Sequence, residues 1–563
     1  MSKPQKSRSS SKSRPGFGFV VRRSLPSAAA LLGLAIAIGT IAVLGGAPPW
    51  APLAIGLVLL AVQFVTAPFI VQWLVPATVI EHDGSRYLTD HRVGEIVARR
   101  CRDAGIPLVR LGVVDDGMPN AFTFGRVRRD ARMWLTRGLL ERLDDDELDA
   151  VIAHEIGHVR NWDFAMMTVA MLVPLVLYSI FLSTRDSGDE SASLAIAAYV
   201  AYLVSELFIL ALSRAREYGA DHWSCQCTGN GDALASALIK ISYGVGQEHA
   251  AAKQDAARLA GVGRDGKKEL ARRRARARRA ESIRVLGIME PRRAAATAHA
   301  LSATPYAQRA LAALRWEATN PWGALFEKFS THPLVARRIA ALQRSGLEGR
   351  PRHFDVLGQV ATDPGDARNL SRRRFIRELA LVVAPFVAGP VAFVTLGRST
   401  FALGAALALA GMLLLALQHV RYPSGFGRVD EVTALLERGD AGPVAGIPVE
   451  VHGTVIGRQS PGYVLSPDLV IQDSSGFVPL RYCQPIPFAA EAFGLLRVPD
   501  YLGAPVVARG WYRRNPGPSI ELRDVRTLDG SRRARAWRWT VGYVCSAALV
   551  IAGVIAIAVS AAA

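Results

Sequence analysis

Five cysteines in 563 residues, Cys101, Cys225, Cys227, Cys483 and Cys545, are too few to staple a chain of this size into a disulfide framework. Stability must come from apolar burial, and the first four thiols are expected to be free, on the reducing side of a membrane. Acidic residues are scarce beside basic ones, 48 against 67, for a formal net charge of +19. Such an excess fits either a nucleic-acid binder or a membrane protein whose cytoplasmic segments collect Lys and Arg. Aromatic residues are missing where the first reading needs them: the most basic stretch, "ARRRARARRA" at 271 to 280, offers no side chain for stacking on bases. Nucleic acid is therefore not an expected partner. No internal repeat is present.

Charge is nearly absent from seven apolar runs, 28 to 45, 52 to 75, 164 to 183, 192 to 212, 378 to 396, 401 to 418 and 541 to 563. Each is near the roughly 20 residues that cross a bilayer. The first is not read as a cleavable signal peptide, because a second run follows directly after "GAPPWAP". Short loops rich in Lys and Arg stay in the cytoplasm, so the basic tail sits inside. The loops then left outside, 46 to 51, 184 to 191 and 397 to 400, hold only Arg185 and Arg398 of the 67 basic residues. The odd number of spans puts the C-terminus outside. Composition rich in Ala and Arg, with short extramembrane loops, points to a multi-pass protein of a bacterial cell membrane.

Between the spans, residues 76 to 163 predict an amphipathic helix in "TDHRVGEIVARRCRDAG", strands in "LVRLGVVDD" and "ARMWLTRG", and a helix over 138 to 161 capped by the Asp144 to Asp146 cluster. Residues 213 to 376 read as helical. Residues 419 to 537 change character: "VEVHGTVIGR", "DLVIQD", "FVPLRY", "PVVARGWYRR" and "SIELRDV" alternate apolar and polar between Gly and Pro turns. Five such strands predict a small β-barrel, of the oligonucleotide/oligosaccharide-binding (OB) type. It is expected to recruit a partner or substrate.

The chemistry concentrates in "AVIAHEIGHVRNWDF" at 150 to 164. His154 and His158 stand one helical turn apart, so both imidazoles project from one face at a separation that suits one zinc ion. Glu155 lies beside them, able to take a proton from the water that zinc makes acidic. Ordinary composition produces such a pentad in roughly one or two per cent of chains this long, so a further ligand is required on a facing element. "LSRAREYGADHW" at 212 to 223 supplies it: Glu217 as third ligand, and Asp221 one turn on to accept the free N–H of a ligand histidine. His222, Cys225 and Cys227 lack the paired spacing of a zinc site and read as packing. Glu206 falls within the fourth span, where a carboxylate is costly. Arg214 and Arg216 most simply anchor that span at the interface, although Arg214 could also pair with an acidic group near the site.

Four motifs in order, "AGIPLVRLGVVDDGMPNAFTFG", "LTRGLLERLDDDELDAVIAHEIGHVRNWD", "SRAREYGAD" and "STHPLVARRIAAL", with a span pair between the second and third, resemble the HtpX-type membrane zinc metallopeptidases, relatives of the CAAX prenyl endopeptidases. The resemblance covers about 76 to 345 and implies a mainly α, α+β, zincin-like peptidase domain on the cytoplasmic side of an α-helical integral membrane protein. It implies that His154, His158 and Glu217 bind one Zn2+ per chain, that Glu155 is general base and acid, and that Asp221 stands behind a ligand. Asn120, in "MPNAF", would lie by an edge strand that pairs with substrate, against a plain turn residue after Pro119. His332, in "STHP", would donate to the oxyanion, against a helix-entry residue before Pro333.

The expected organisation is a basic tail (1–27), a transmembrane hairpin (28–75), the peptidase domain (76–345) interrupted by a second hairpin (164–212) and by a basic insertion near 264–293, a third hairpin (378–418), the β-rich domain (419–537) and a last span (541–563). The insertion reads either as a contact for anionic lipid or as a solvated linker. Expected substrates are misfolded or damaged membrane proteins, cleaved in quality control. The alternatives are a specific processing protease and an inactive membrane scaffold.

Overall fold

The computed structural model describes Pro48 and residues 50–84, 86–88, 92–184, 189–243, 305–344, 365–460, 463, 465–515 and 517–562. The first expected span (28–45), the basic tail and the basic insertion lie outside the described residues.

Helix α1 (Ala51–Leu74) leads into an α+β unit of β1 (Thr78–Ile80), α2 (Arg92–Ala104), β2 (Arg110–Val114), β3 (Ala121–Phe124) and β4 (Arg132–Thr136). The sheet order is β1-β2-β4-β3, with β2 and β4 parallel and the outer pairs antiparallel, so β3 is an edge. The sequence predicts β2 and β4. It misses β1 and β3, which are too short for alternation to show, and β3 is buried at all four positions.

The helix predicted over 138 to 161 is two helices. α3 (Arg137–Arg142) ends where Leu143 turns extended, and α4 (Asp145–Arg160) begins afresh. The break follows from the acidic cluster: Asp144 accepts the Glu147 amide at 2.9 Å while the Glu147 carboxylate accepts the Asp144 amide at 3.0 Å, a capping box that starts a helix at that point. Glu147 also accepts from Ser236 at 2.6 Å and Lys240 at 2.7 Å, fastening α4 to α8 (Gly231–Tyr243).

At the other end of α4, Trp162 takes φ of 61°. A left-handed residue other than Gly costs roughly 1–2 kcal/mol, and here it redirects the chain into α5 (Asp163–Ala170) and α6 (Leu172–Thr184). α7 (Asp189–Thr228) then returns as one 40-residue helix. After α8 come α9 (Pro305–Thr319), α10 (Pro321–Lys328), α11 (Val335–Arg344), α12 (Gly365–Thr395) and α13 (Thr400–Arg421). Among the described residues six helical stretches are long and apolar enough to cross a membrane: Ala51–Leu74, Asp163–Thr184, Ser193–Thr228, Arg368–Thr395, Thr400–Arg421 and Arg538–Ala562. The chain is a multi-pass membrane protein.

The remaining strands are β5 (Gly427–Val429), β6 (Ile447–Arg458), β7 (Leu469–Gln472), β8 (Phe477–Arg481), β9 (Pro505–Asn515), β10 (Gly517–Thr527) and β11 (Arg533–Arg535). α14 (Pro487–Leu496) lies between β8 and β9, and α15 (Arg538–Ala562) ends the chain. Pairing runs β6-β7-β8-β10-β9 and back to β6, closing a five-stranded barrel in which only β8 and β10 are parallel. Alternate residues such as Val449, Val451, Leu469, Ile471 and Leu480 fill it. The five strands coincide with the five predicted stretches. The barrel is docked on the α+β unit: the Gly117 amide donates to Ile456 O at 3.1 Å, and Asp116 accepts the Arg458 amide at 3.4 Å. Gly457 permits this approach, since any side chain there would run into Asp116.

Asp144→Ala removes the cap of the histidine helix. Thermal unfolding in detergent is expected to show a loss of about 1 kcal/mol, with Asp144→Ser retaining most of the stability.

Candidate active site

α4 and α7 cross closely because Gly157 has no side chain: a Cβ there would sit 3.3 Å from Ala220 Cα and 3.0 Å from the Trp223 ring. The crossing sets His154, Glu155 and His158 of α4 against Glu217 and Asp221 of α7, five of the seven residues singled out as site residues, and His332 joins them from a loop. His154 Nδ1 lies 2.9 Å from Asp221 Oδ1, and His158 Nδ1 lies 2.8 Å from Asp163 Oδ2. Each carboxylate takes one ring nitrogen, leaving the two Nε2 atoms facing each other at 3.1 Å. His154 Nε2 is 3.7 Å from Glu217 Oε2. One donor atom from each of His154, His158 and Glu217 lies within 4.8 Å of the others, and all three residues are buried.

These residues fit a divalent cation on two counts. Glu217 is wholly buried, and its oxygens meet only His332 Nδ1 at 3.1 Å and Arg338 Nη1 at 3.3 Å, neither in good hydrogen-bond geometry, so lone pairs remain open toward the two histidines. The cluster also offers two imidazoles and one carboxylate, the donor set that a zinc-type divalent cation takes. Burial holds the His158 imidazole well below its usual pKa, helped by the charges of His154, Arg216 and Arg338, so the ring is neutral and able to ligate.

Glu155 projects to the sheet side, where Thr123 of β3 donates to it at 3.0 Å. Burial pushes its carboxyl up to about 7, against the opposing pull of His154 and Thr123. That range suits a group that both takes and gives a proton near neutrality.

His332 approaches from the loop between α10 and α11, with Nδ1 3.1 Å from Glu217 Oε1. Arg214 fixes this loop by donating to Lys328 O at 3.1 Å and Ser330 O at 2.9 Å. Asn120 stands apart from the ionisable cluster, at the entry to β3, with its backbone bonded to Thr136. Both His332 and Asn120 line a cleft of about 830 Å³ that runs past His154, Glu155 and the outer edge of β3.

Three contributors are absent from the sequence reading. Asp163 and Arg338 fall within motifs already quoted, "NWD" and "VARR", and Thr123 lies in "AFTF". Arg338 has the largest role: Nε donates to Asp221 Oδ2 at 2.8 Å, Nη2 to Oδ1 at 2.5 Å, and Nη1 lies 3.3 Å from Glu217 Oε2. The signal was the need of two carboxylates one turn apart for a counter-charge. Arg216 corrects an expectation. It is fully buried instead of anchored at the interface, because the nearby Asp163 and Glu217 compensate its charge. Glu206 stays outside the site, eleven residues before Glu217 and about 16 Å away along the helix. Cys225 packs in an apolar cluster with Ala150 and Leu234, and His222 pairs with Gln226.

Residues 87–345 match peptidase family M48. A protease HtpX homologue of Methanothermobacter thermautotrophicus is 40% identical over 205 residues, which are 36% of this chain and 77% of that one. The chain belongs to peptidase family M48. A protease HtpX homologue of Pyrococcus abyssi is 36% identical over 187 residues, 31% of this chain and 65% of its own length. A crystal structure of S. mikatae Ste24p aligns at TM-score 0.29 and 21% identity over 39% of this chain and 57% of its own, and adds nothing to the assignment. Members of M48 are zinc metallopeptidases, and the His154, His158 and Glu217 group lies inside the matched segment.

Arg338→Met is expected to strand Asp221 and Glu217 as uncompensated buried charges. The cost should be about 3 kcal/mol or more, seen as a lower melting temperature of the purified protein, with Arg338→Lys in between.

Proposed function

We propose that the chain is a membrane-bound zinc endopeptidase that cleaves extended segments of misfolded or damaged membrane proteins. The observation that carries this reading is the buried His154, His158 and Glu217 group with Glu155 beside it, bonded to an edge strand. In the proposed mechanism His154, His158 and Glu217 would hold one zinc ion, whose charge would supply Lewis-acid polarisation of the scissile carbonyl and of a water molecule. Asp221 and Asp163 fix the histidine rings so that both Nε2 atoms point inward. Glu155 takes the proton of the attacking water and passes it to the leaving amine. The substrate pairs as an added strand along β3, with Asn120 at the start of that edge. His332 braces Glu217 and donates from Nε2 to the oxyanion.

The edge strand lying over the histidine helix supports a zincin-like description of the unit. The strand order, with a helix between the third and fourth barrel strands and the third and fifth parallel, supports an OB-like barrel. The basic loops support a cytoplasmic site at the cell membrane of a bacterium, with the insertion near 264–293 read as a contact for anionic lipid.

The test is zinc content together with cleavage of an unfolded protein by the detergent-purified chain, with and without chelator. Wild type is expected to hold one zinc and to cleave until chelated. Glu155→Gln should keep zinc and lose at least about a hundredfold in rate, while His154→Ala and Glu217→Ala should lose both. Turnover retained in Glu155→Gln would sink the mechanism. Asp163→Asn should weaken zinc binding by about 10–100-fold, measured by competition with a chromophoric chelator. Unchanged affinity would remove Asp163 from the site.

A further inference from the structure

The cleft beside Glu155 is lined by the M48 segment, by Ala67, Pro68 and Val71 of α1, and by a part that lies outside both. Opposite β3 its lining comes from the barrel: Gln459 and Ser460 after β6, Arg481 at the end of β8, and Asn515, Gly517 and Ser519 of the β9–β10 hairpin. In a barrel of this topology the loop between strands one and two and the loop between strands four and five are the usual ligand-binding rim. Here both face the catalytic cleft. The first of these loops is pressed against the edge strand itself, since its Tyr463 packs on the cluster of Phe122, Phe124 and Trp134.

The barrel wall carries one guanidinium and one carboxylate, Arg481 and Asp468. Two arginines line the cleft, Arg338 and Arg481. Arg338 is taken up by Asp221 and Glu217, whereas the side chain of Arg481, half-buried, makes no hydrogen bond or ion pair among the described residues. Asp468 also lines the cleft and feels the Arg481 charge, but no ion pair joins the two: one of its oxygens accepts the Tyr482 amide at 2.8 Å, and the Arg481 donors stay open. A guanidinium partly withdrawn from water with its donors open is a ready partner for a carboxylate.

We infer that the barrel is the second wall of the peptide-binding cleft: a substrate strand added to β3 runs beneath Gln459, Ser460, Asn515 and Gly517, and Arg481 selects a carboxylate on it. This rests on the peptidase reading, and binding and cleavage test the two separately.

Binding is read by fluorescence anisotropy with the full chain carrying Glu155→Gln, in detergent, and three labelled peptides. One has an acidic side chain and an amidated end, the second has Gln in its place, and the third is the Gln peptide with a free C-terminal carboxylate. A carboxylate-bearing peptide is expected to bind about tenfold tighter than the neutral one, and which of the two does so identifies the source of the carboxylate. Arg481→Gln should abolish the preference and Arg481→Lys should keep part of it. A preference that survives Arg481→Gln, or its absence from the parent chain, overturns the role of Arg481.

The wall is tested with Gly517→Trp, because a Cβ at Gly517 meets nothing within 4 Å. The indole should raise KM for an unfolded protein about tenfold or more with kcat little changed. An unchanged KM overturns the wall. A parent enzyme without chelator-sensitive cleavage defeats the peptidase reading, whereas normal cleavage with no Arg481 or Gly517 effect defeats this inference alone.

Discussion

The close crossing of α4 and α7 is the contact on which the rest depends. Gly157 against Ala220 lets the two backbones approach until the histidines of one helix and the carboxylates of the other share a single enclosed volume. Enclosure is expensive, because each unpaired charge withdrawn from water costs several kcal/mol. The cluster meets that cost by mutual commitment: Asp221 between His154 and Arg338, Asp163 on His158, Glu217 between Arg338 and His332. Little freedom is left to any of these side chains. Such over-determination keeps both imidazoles in one tautomer with both Nε2 atoms turned inward.

The covalent continuity of α7 carries that order into the membrane. Its apolar run ends near Leu212, and Glu217 comes five residues later, about 7–8 Å further along one unbroken helix. Trp162 redirects the chain from α4 into the opposite arm of the same hairpin. The buried cluster is thus held at a fixed depth by two membrane helices. The barrel is referenced to the same plane from its other end: Trp511 packs on Tyr422, just past α13, at 4.7 Å and on Trp539 of α15 at 5.9 Å. Both sides of the cleft are therefore tied to helices apolar enough to span a membrane, and in the proposed reading the polypeptide that enters it is a segment close to the membrane surface.

The sequence made the local part of this arrangement legible. Helical spacing alone groups His154 with His158 and Glu217 with Asp221, and alternation alone marks all five barrel strands. What it hid falls into two kinds. Short elements give too few residues for a period, as with the edge strand Ala121–Phe124. The Asp144 to Asp146 cap was legible, but the periodicity before it hid the break at Leu143 that separates α3 from α4. The other kind is distance. Arg338 lies 117 residues from Asp221 in sequence, and no spacing rule links them. Only the requirement that buried carboxylates be compensated could have called for such a residue, and it could not have said which of the many arginines answers.

Arg216 shows the same limit from the other direction. An arginine just past an apolar run reads as an interfacial anchor, because the long side chain ordinarily reaches water. α7 does not end there, however, and the face that carries Arg216 is buried, with Asp163 and its own neighbour Glu217 near enough to offset part of the cost. The residue is held inside by the carboxylates that the histidines and the cation site require. Membrane anchoring and charge compensation make opposite demands on one side chain, and the packing of α4 on α7 decides between them: once Glu217 and Asp163 are buried, a buried cation beside them costs less than two unanswered anions.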